Sequence, residues 1–286
     1  VGVADIGYAL HPLARGRGVV TRAIRLATRW AFDTGGVEIV HWRAHVGNLA
    51  SRRTAWSTGF TFHGTVPKLL YERGRAIDAW IASLQPDDDG SPKTRWLVPP
   101  ELRGERVVLR PYLDADLPRV VEACSDPETR HWLASIPLPT TDAAAREWLL
   151  WQVEGQSLGE RIAWCVADPA SDSMLAHVGV HGLGEDDPSD VELTYWAHPD
   201  ARGRGAMTEA VRLAAAHAFA ATTDGGLGVR RLQLMTAVDN VASRRVATAA
   251  GFTEVGRHRN ADRLGDGSYT DVLWYDHLAG DPPLRQ

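Results

Sequence analysis

The sequence predicts an α/β fold, a mixed and mostly antiparallel sheet with flanking helices, laid out as one complete domain plus the C-terminal half of another. Three observations lead there. Apolar runs of period 2 alternate with runs of helical period along the chain. One long segment occurs twice. In each copy a strand enters an Arg-Gly-Arg-Gly turn that opens an amphipathic helix.

The repeat sets the domain plan. Residues 5–18, DIGYALHPLARGRG, return at 192–205 as ELTYWAHPDARGRG. Tyr8, His11, Pro12, Arg15, Gly16, Arg17 and Gly18 all recur in place. A second shared block follows, GNLASRRTAWSTGF from Gly47 and DNVASRRVATAAGF from Asp239, with a glycine-rich insertion at 222–229 lengthening the second copy. The period is far longer than the 20–50 residues of a solenoid, so the copies read as homologous domains. Between them, QPDDDGSPKTRWLVPP combines acids, serine, glycine and proline in linker style. The expected division is 1–84 as the C-terminal half of a domain, 85–101 as linker, 102–278 as a complete domain and 279–286 as tail. The half-domain reading rests on the region before the shared strand, about 90 residues long in the second copy and nearly absent from the first.

In the second domain, 106–110 reads as an opening strand, and 117–123 and 143–153 carry helical spacing. Strands follow at 162–167, 175–180 and 191–197. After the glycine turn, Met207, Ala210, Val211, Ala214 and Ala218 line one helix face, as Val20, Ala23, Ile24, Ala27 and Ala31 do in the first copy. A strand at 231–238 leads to a helix with Asn240 in the N-cap position and Gly251 just past its end. Strands near 252–256 and 270–276 complete the order β-α-α-β-β-β-α-β-α-β-β.

Composition removes several classes of function. Lys and Arg number 31 against 36 Asp and Glu, a formal charge of −5, which gives no support to a nucleic-acid or anionic-membrane partner. Apolar runs fall short of the roughly 20 residues of a membrane span. The two cysteines, Cys124 and Cys165, make neither a disulfide framework nor a four-ligand zinc site, which suits a reducing cytoplasm; no metal is expected.

The strongest chemical signal is the turn Arg202-Gly203-Arg204-Gly205-Ala206-Met207, with Arg15, Gly16, Arg17 and Gly18 as its counterpart. A strand, a glycine turn and a helix start together present unpaired N–H groups and the positive helix end to an anion. The ATP-type loop fails for want of Gly-Lys-Ser/Thr, and the dinucleotide fingerprint fails where Thr208 and Thr21 replace its third glycine. The bland alternative is an ordinary turn with solvated arginines.

At these residues the chain resembles the GNAT superfamily of N-acetyltransferases, and within it the RimJ/RimL-like branch. Arg202-x-x-Gly205 and Arg15-x-x-Gly18 match the motif R/Q-x-x-G-x-G/A, although Met207 and Val20 stand at its last position, where a larger side chain would narrow the turn. ELTYWAHPDA is similar to the family's fourth strand, NVAS and NLAS to its later helix, and LRGERVVLRPY to the branch's first strand. The resemblance implies acetyl-CoA as donor and direct transfer to an amine in a ternary complex. It places the pyrophosphate on the turn 203–207, the pantetheine arm along Trp196 and Ala197, and Asn240 (Asn48 in the first copy) beside that arm. The expected acceptor is a primary amine, of a protein N-terminus or a small molecule. An aminoglycoside-type acetyltransferase and a non-catalytic acyl-CoA-binding module stay open.

An amine near neutral pH must lose a proton before it attacks, so a base helps. Strand alternation puts Glu192, Thr194, Trp196 and His198 on one face, and Glu192 is the candidate base, with a solvent-facing strand residue or an internal salt bridge as its bland alternative. The first copy offers Asp5. His198 and His11 read better as residues that order the turn. In the branch a serine at the Ser243 position protonates the departing thiolate, whereas its plain reading is a first-turn serine after an Asn240 N-cap; no tyrosine follows the last glycine turn to replace it. Trp132, Trp148 and Trp151 fit core packing, and the acidic loop 184–190 fits a solvated hairpin or a lure for a cationic amine.

Overall fold

The computed structural model describes residues 2–282, which form two compact units, one ending at Arg95 and one beginning at Trp96. The first contains β1 (Val3–Ile6), α1 (Val19–Asp33), β2 (Ile39–His45), α2 (Leu49–Ser57), β3 (Thr61–Glu72) and β4 (Arg75–Leu84). Its sheet runs β1-β2-β4-β3, with β1 parallel to β2 and at the sheet edge.

The second unit opens with two short strands, β5 (Leu102–Arg103) and β6 (Val108–Arg110), where the sequence suggested one. Three helices follow rather than two: α3 (Leu117–Ser125), α4 (Pro127–Trp132) and α5 (Asp142–Leu158). The extra helix starts because Asp126 ends α3 in an extended conformation and its carboxylate then accepts the Thr129 N–H at 3.0 Å, with Pro127 at the first helical position. Next come β7 (Arg161–Ala167), β8 (Met174–His181), β9 (Asp190–Ala197), α6 (Ala206–Phe219), β10 (Arg231–Ala237), α7 (Val241–Ala249), β11 (Thr253–Arg263) and β12 (Tyr269–Leu278). The eight strands order as β11-β12-β10-β9-β8-β7-β6-β5, antiparallel except for β9 with β10.

Helix α6 lies on one face of this sheet and supplies Met207, Ala210, Val211, Ala214 and Ala218 to a core shared with Leu109, Trp164, Val178, Leu193 and Leu232. The small residues let helix and sheet approach closely. The same face of α1 is poorly covered. Ile24 and Thr28 are buried, but Ala23 and Ala27 are exposed and Trp30 keeps 65% of its surface in solvent. The counterparts of β5 to β8, which cover α6, do not occur in the first unit as described.

The linker-like stretch belongs to both units rather than spanning freely. Thr94 O accepts from Trp56 Nε1 at 2.9 Å within the first unit. In the second, Leu97 is buried in the core and Pro100 O accepts from Trp164 Nε1 at 2.9 Å. The insertion 222–229 opens with a short 3-10 turn, Thr222–Asp224, and Leu227 and Val229 beyond it join the core. The expected tail lies partly outside the described residues.

Candidate active site

Two strands part at the centre of the large sheet. β9 is paired to β8 along its length, out to Ala197 against Ala176. β10 is paired to β12 out to Ala237 against Val272. Between β9 and β10, however, only Asp190, Val191 and Glu192 find partners, in Arg231, Leu232 and Gln233. Each strand follows its outer neighbour, and a wedge opens from Leu193 onward. Backbone groups at such an inner edge require partners, so an extended polar chain can add there as a strand would.

The wedge leads to the glycine turn. After β9, His198 Nδ1 accepts the Asp200 N–H at 3.2 Å and holds a 3-10 turn, while its Nε2 lies 3.2 Å from Glu122 Oε2. His198 is therefore a turn-ordering residue, and His11 does the same by accepting from Leu13 N at 3.3 Å. Gly203 and Gly205 have φ of +71° and +76°, left-handed values that L side chains rarely adopt. Gly205 caps α6 with no side-chain acceptor, so among the described residues nothing takes the N–H groups of 205–208. A Cβ built on Gly203 or Gly205 would meet nothing within 4 Å. Open space, free N–H groups and a helix start coincide, and they fit a pyrophosphate. Gly16 and Gly18 repeat the geometry at +71° and +65°.

The neighbouring side chains divide by direction. Met207 points into the core, only 9% exposed, so its bulk does not narrow the turn. Ala206 is also buried, and Arg204 is exposed. The Arg202 guanidinium turns away to α4, with Nη2 at 2.5 Å from Asp126 Oδ2 and 2.9 Å from Thr129 Oγ1, and Nη1 at 2.7 Å from Glu128 Oε2.

Across the wedge, Asn240 Oδ1 accepts from Ser243 N at 3.0 Å, the N-cap of α7, just as Asn48 accepts from Ser51 N at 3.2 Å. Ser243 Oγ lies 2.9 Å from the Tyr195 hydroxyl, which also reaches Ser243 O at 3.1 Å. Burial pushes the Tyr195 phenol up to about 12, although the Ser243 hydrogen bond pulls the other way and Tyr275 adds to the rise. The phenol stays protonated near neutral pH. Sequence reasoning assigned Tyr195 no role, yet its recurrence as Tyr8 was the available signal: Tyr8 Oη lies 2.8 Å from Ser51 Oγ.

The opposite face of β9 carries Glu192, Thr194 and Trp196, as the alternation predicts. Glu192 is half-buried and sits in register with His181. Its carboxyl is pushed above its usual range by burial first and by Glu185 second. Thr194 Oγ1 lies 3.0 Å from His181 Nε2, and Trp196 stacks on His177 at 5.4 Å between centroids. Burial lowers His177 to about 3, with help from His181, and His181 to about 4, with help from Arg161. Trp148 packs edge-on to His177, and the half-exposed Trp151 stacks on His181. These tryptophans thus border Glu192's face instead of serving only as core. Trp132 lies edge-on to His131 in α4. Two of the four acids of the loop are paired, Asp187 with Arg230 at 3.2 Å and Asp190 with Arg231 at 3.3 Å.

A groove of about 720 Å³ lies between α4 and the β11–β12 turn, lined by Arg130, His131, Leu138, Arg263, Leu264 and Asp266 among others. In the first unit Asp5, at the Glu192 position, is exposed and salt-bridged to Arg43. Among the described residues no group of three or more His, Cys, Asp or Glu is arranged to hold a metal ion, and no helix is long and apolar enough to cross a membrane.

A mixed sheet split between its central strands, with a glycine turn at the mouth of the split, defines the fold. The acetyltransferase (GNAT) domain family matches residues 1–61 and 106–253, and the chain belongs to that family. It is 25% identical over 178 residues to YdaF of Bacillus subtilis (strain 168), which carries the provisional name of a ribosomal N-acetyltransferase; the match covers 61% of this chain and 92% of YdaF. The fold is shared with the ribosomal-protein-S5-alanine acetyltransferase of Vibrio fischeri (TM-score 0.56, 16% identity, covering 65% of this chain and 100% of that one). It is shared equally with Mycobacterium smegmatis RimJ, solved with CoA-disulfide (TM-score 0.56, 16% identity, 65% and 90%).

Proposed function

We propose that the second unit transfers the acetyl group of acetyl-CoA to the N-terminal amine of a protein, in a ternary complex. The observation that carries this is the wedge between β9 and β10 ending at the open turn 203–207. The backbone N–H groups of 203–207 hold the pyrophosphate, and the free edge at Trp196 and Ala197 holds the pantetheine arm, with Asn240 at its side. Bound there, acetyl-CoA supplies an activated acyl carbon and a thiolate leaving group. Glu192 takes the proton that the acceptor ammonium must lose, directly or through water. A backbone N–H in the wedge polarises the thioester carbonyl, an oxyanion-hole role. Ser243 gives its proton to the departing sulfur as the new C–N bond replaces the C–S bond. The protein acceptor is favoured by the likeness to YdaF, and the groove of about 720 Å³ beside α4 offers a place for it.

We also propose the first unit as the C-terminal half of a second copy, on the grounds of its edge strand β1 and the uncovered face of α1. Its Asp5 is engaged by Arg43, so turnover is assigned to the second unit alone.

Incubation of the full chain with acetyl-CoA and a panel of N-terminal peptides tests the reading. Release of free CoA with intersecting initial-velocity lines is expected. Tight acetyl-CoA binding without turnover on peptides or small amines would favour a non-catalytic module instead.

A further inference from the structure

We infer that Arg202 is a positioning residue that ties the shape of the acceptor groove to the filling of the phosphate turn. The inference rests on the reading that the turn 203–207 holds the CoA pyrophosphate.

Arg202 is the last residue before the first left-handed glycine, and its guanidinium forks onto three residues of one helical start. They are Asp126 at 2.5 Å, Glu128 at 2.7 Å and Thr129 at 2.9 Å. Asp126 is already the N-cap of α4, accepting from Thr129 N at 3.0 Å and Thr129 Oγ1 at 3.2 Å. Burial works against its charge, but the hydrogen bonds from Arg202 and Thr129 prevail and hold the carboxyl below its ordinary range. The same carboxylate therefore anchors the glycine turn and starts the helix. The other end of α4 is fixed as well. His131 O accepts from Gly265 N at 2.9 Å, and a Cβ on Gly265 would come within 2.7 Å of His131 Cα. A helix of six residues thus bridges the phosphate turn and the β11–β12 turn, and Pro127, Arg130 and His131 from it line the groove.

Bidentate and charge-assisted bonds of this kind fix geometry as well as contributing energy. Whatever settles the turn around an anion must settle Arg202, and through it the start of α4. Arg15, its counterpart, is exposed and makes no ion pair among the described residues, where the first unit offers no equivalent of α4 to receive one. The side chain in the second unit is thereby assigned to the acceptor side, and cofactor affinity is left to the backbone.

Hydrogen exchange on the full chain, with and without CoA, separates the possibilities. Calorimetry first establishes that wild type binds CoA; absence of binding overturns the phosphate-turn reading and this inference with it. With binding, CoA should slow exchange across 127–133 by about threefold or more. Arg202→Ala should bind CoA within about threefold of wild type and show no slowing there. No slowing in wild type, slowing that persists in Arg202→Ala, or a larger loss of affinity each overturns the coupling alone. Should Arg202→Ala fail to fold, Glu128→Gln replaces it, since that change removes one charged partner and keeps the Asp126 cap. Reduced slowing supports the coupling, and undiminished slowing overturns it.

Discussion

Tyr195 and Ser243 share a hydroxyl-to-hydroxyl hydrogen bond of 2.9 Å across the wedge, and Tyr8 and Ser51 repeat it at 2.8 Å in the first unit. The first-unit pair also receives the Trp42 indole N–H, at 3.1 Å to each oxygen, whereas Leu234 stands at the corresponding position of β10. The second unit's pair is thus left with fewer competing partners. Either hydroxyl of the Tyr195–Ser243 pair can be the donor, and in the arrangement where Tyr195 donates the serine proton stays available to the departing sulfur.

Ser243→Ala is expected to lower kcat more than about tenfold, because a placed general acid contributes about 10²–10⁴-fold. Acetyl-CoA affinity should stay within about threefold, the mark of an interaction made mainly in the transition state. Tyr195→Phe should lower kcat by less, and the double variant should resemble Ser243→Ala, since residues acting as a unit are not additive. Steady-state kinetics on the four chains checks this. A Ser243→Ala enzyme at full rate moves the acid role to water or another group and leaves Asn240 and Ser243 as a plain helix start.

Glu192→Gln should remove the ascending limb of the pH–rate profile. The raised carboxyl loses its proton only above the ordinary Glu range, so the wild-type rate climbs with pH through a value higher than 4.5. Stability gives an independent reading. The folded protein favours the protonated carboxyl, so the wild type bears a cost above that folded value and none below the unfolded pKa of about 4.3. Glu192→Gln should therefore raise Tm at pH 7, with the gain vanishing toward pH 4. A gain that persists at pH 4 would deny the buried charge.

His177 and His181 should stay neutral across the working range. Their folded values, about 3 and about 4, lie below the unfolded value of about 6.5. Each adds stability above pH 6.5 that is lost progressively as the pH falls toward its folded value. Imidazole NMR signals of both rings should show no titration between pH 6 and 8. A midpoint near 6.5 for His181 would make it a candidate base.

Backbone exchange should be faster across β1 and α1 than across β9 and α6. The first pair has an open edge and Trp30 65% exposed, and the second is enclosed by β8 and the core. Equal protection in a monomer would count against the half-domain proposal.

Much of this was legible in the sequence because local chemistry and burial agree there. The α6 face, the β9 alternation and the glycine turn each follow from residues that pack or turn in one way. The wedge was not legible, since it arises from β9 and β10 each following an outer partner far along the chain. α4 was missed because six residues are too few to show a period, and only the Asp126-Pro127 pair marks its start. The motif position of Arg202 says nothing of its partners, because they come from a segment some 75 residues earlier in the chain. The exposed face of α1 carries the same apolar pattern as α6, and pattern alone cannot say whether a covering sheet is present.

Calorimetry of acetyl-CoA with wild type and Gly205→Val bears most directly on the central claim. Gly205 has φ +76°, with open space where a Cβ would stand, so a branched side chain there strains the turn and occupies the phosphate's approach. Wild type should bind at the second unit. Gly205→Val, checked by thermal unfolding to be folded, should lose affinity by at least about tenfold, some 1.4 kcal/mol. Binding by that variant as tight as wild type would contradict the assignment of the 203–207 turn as the cofactor cradle.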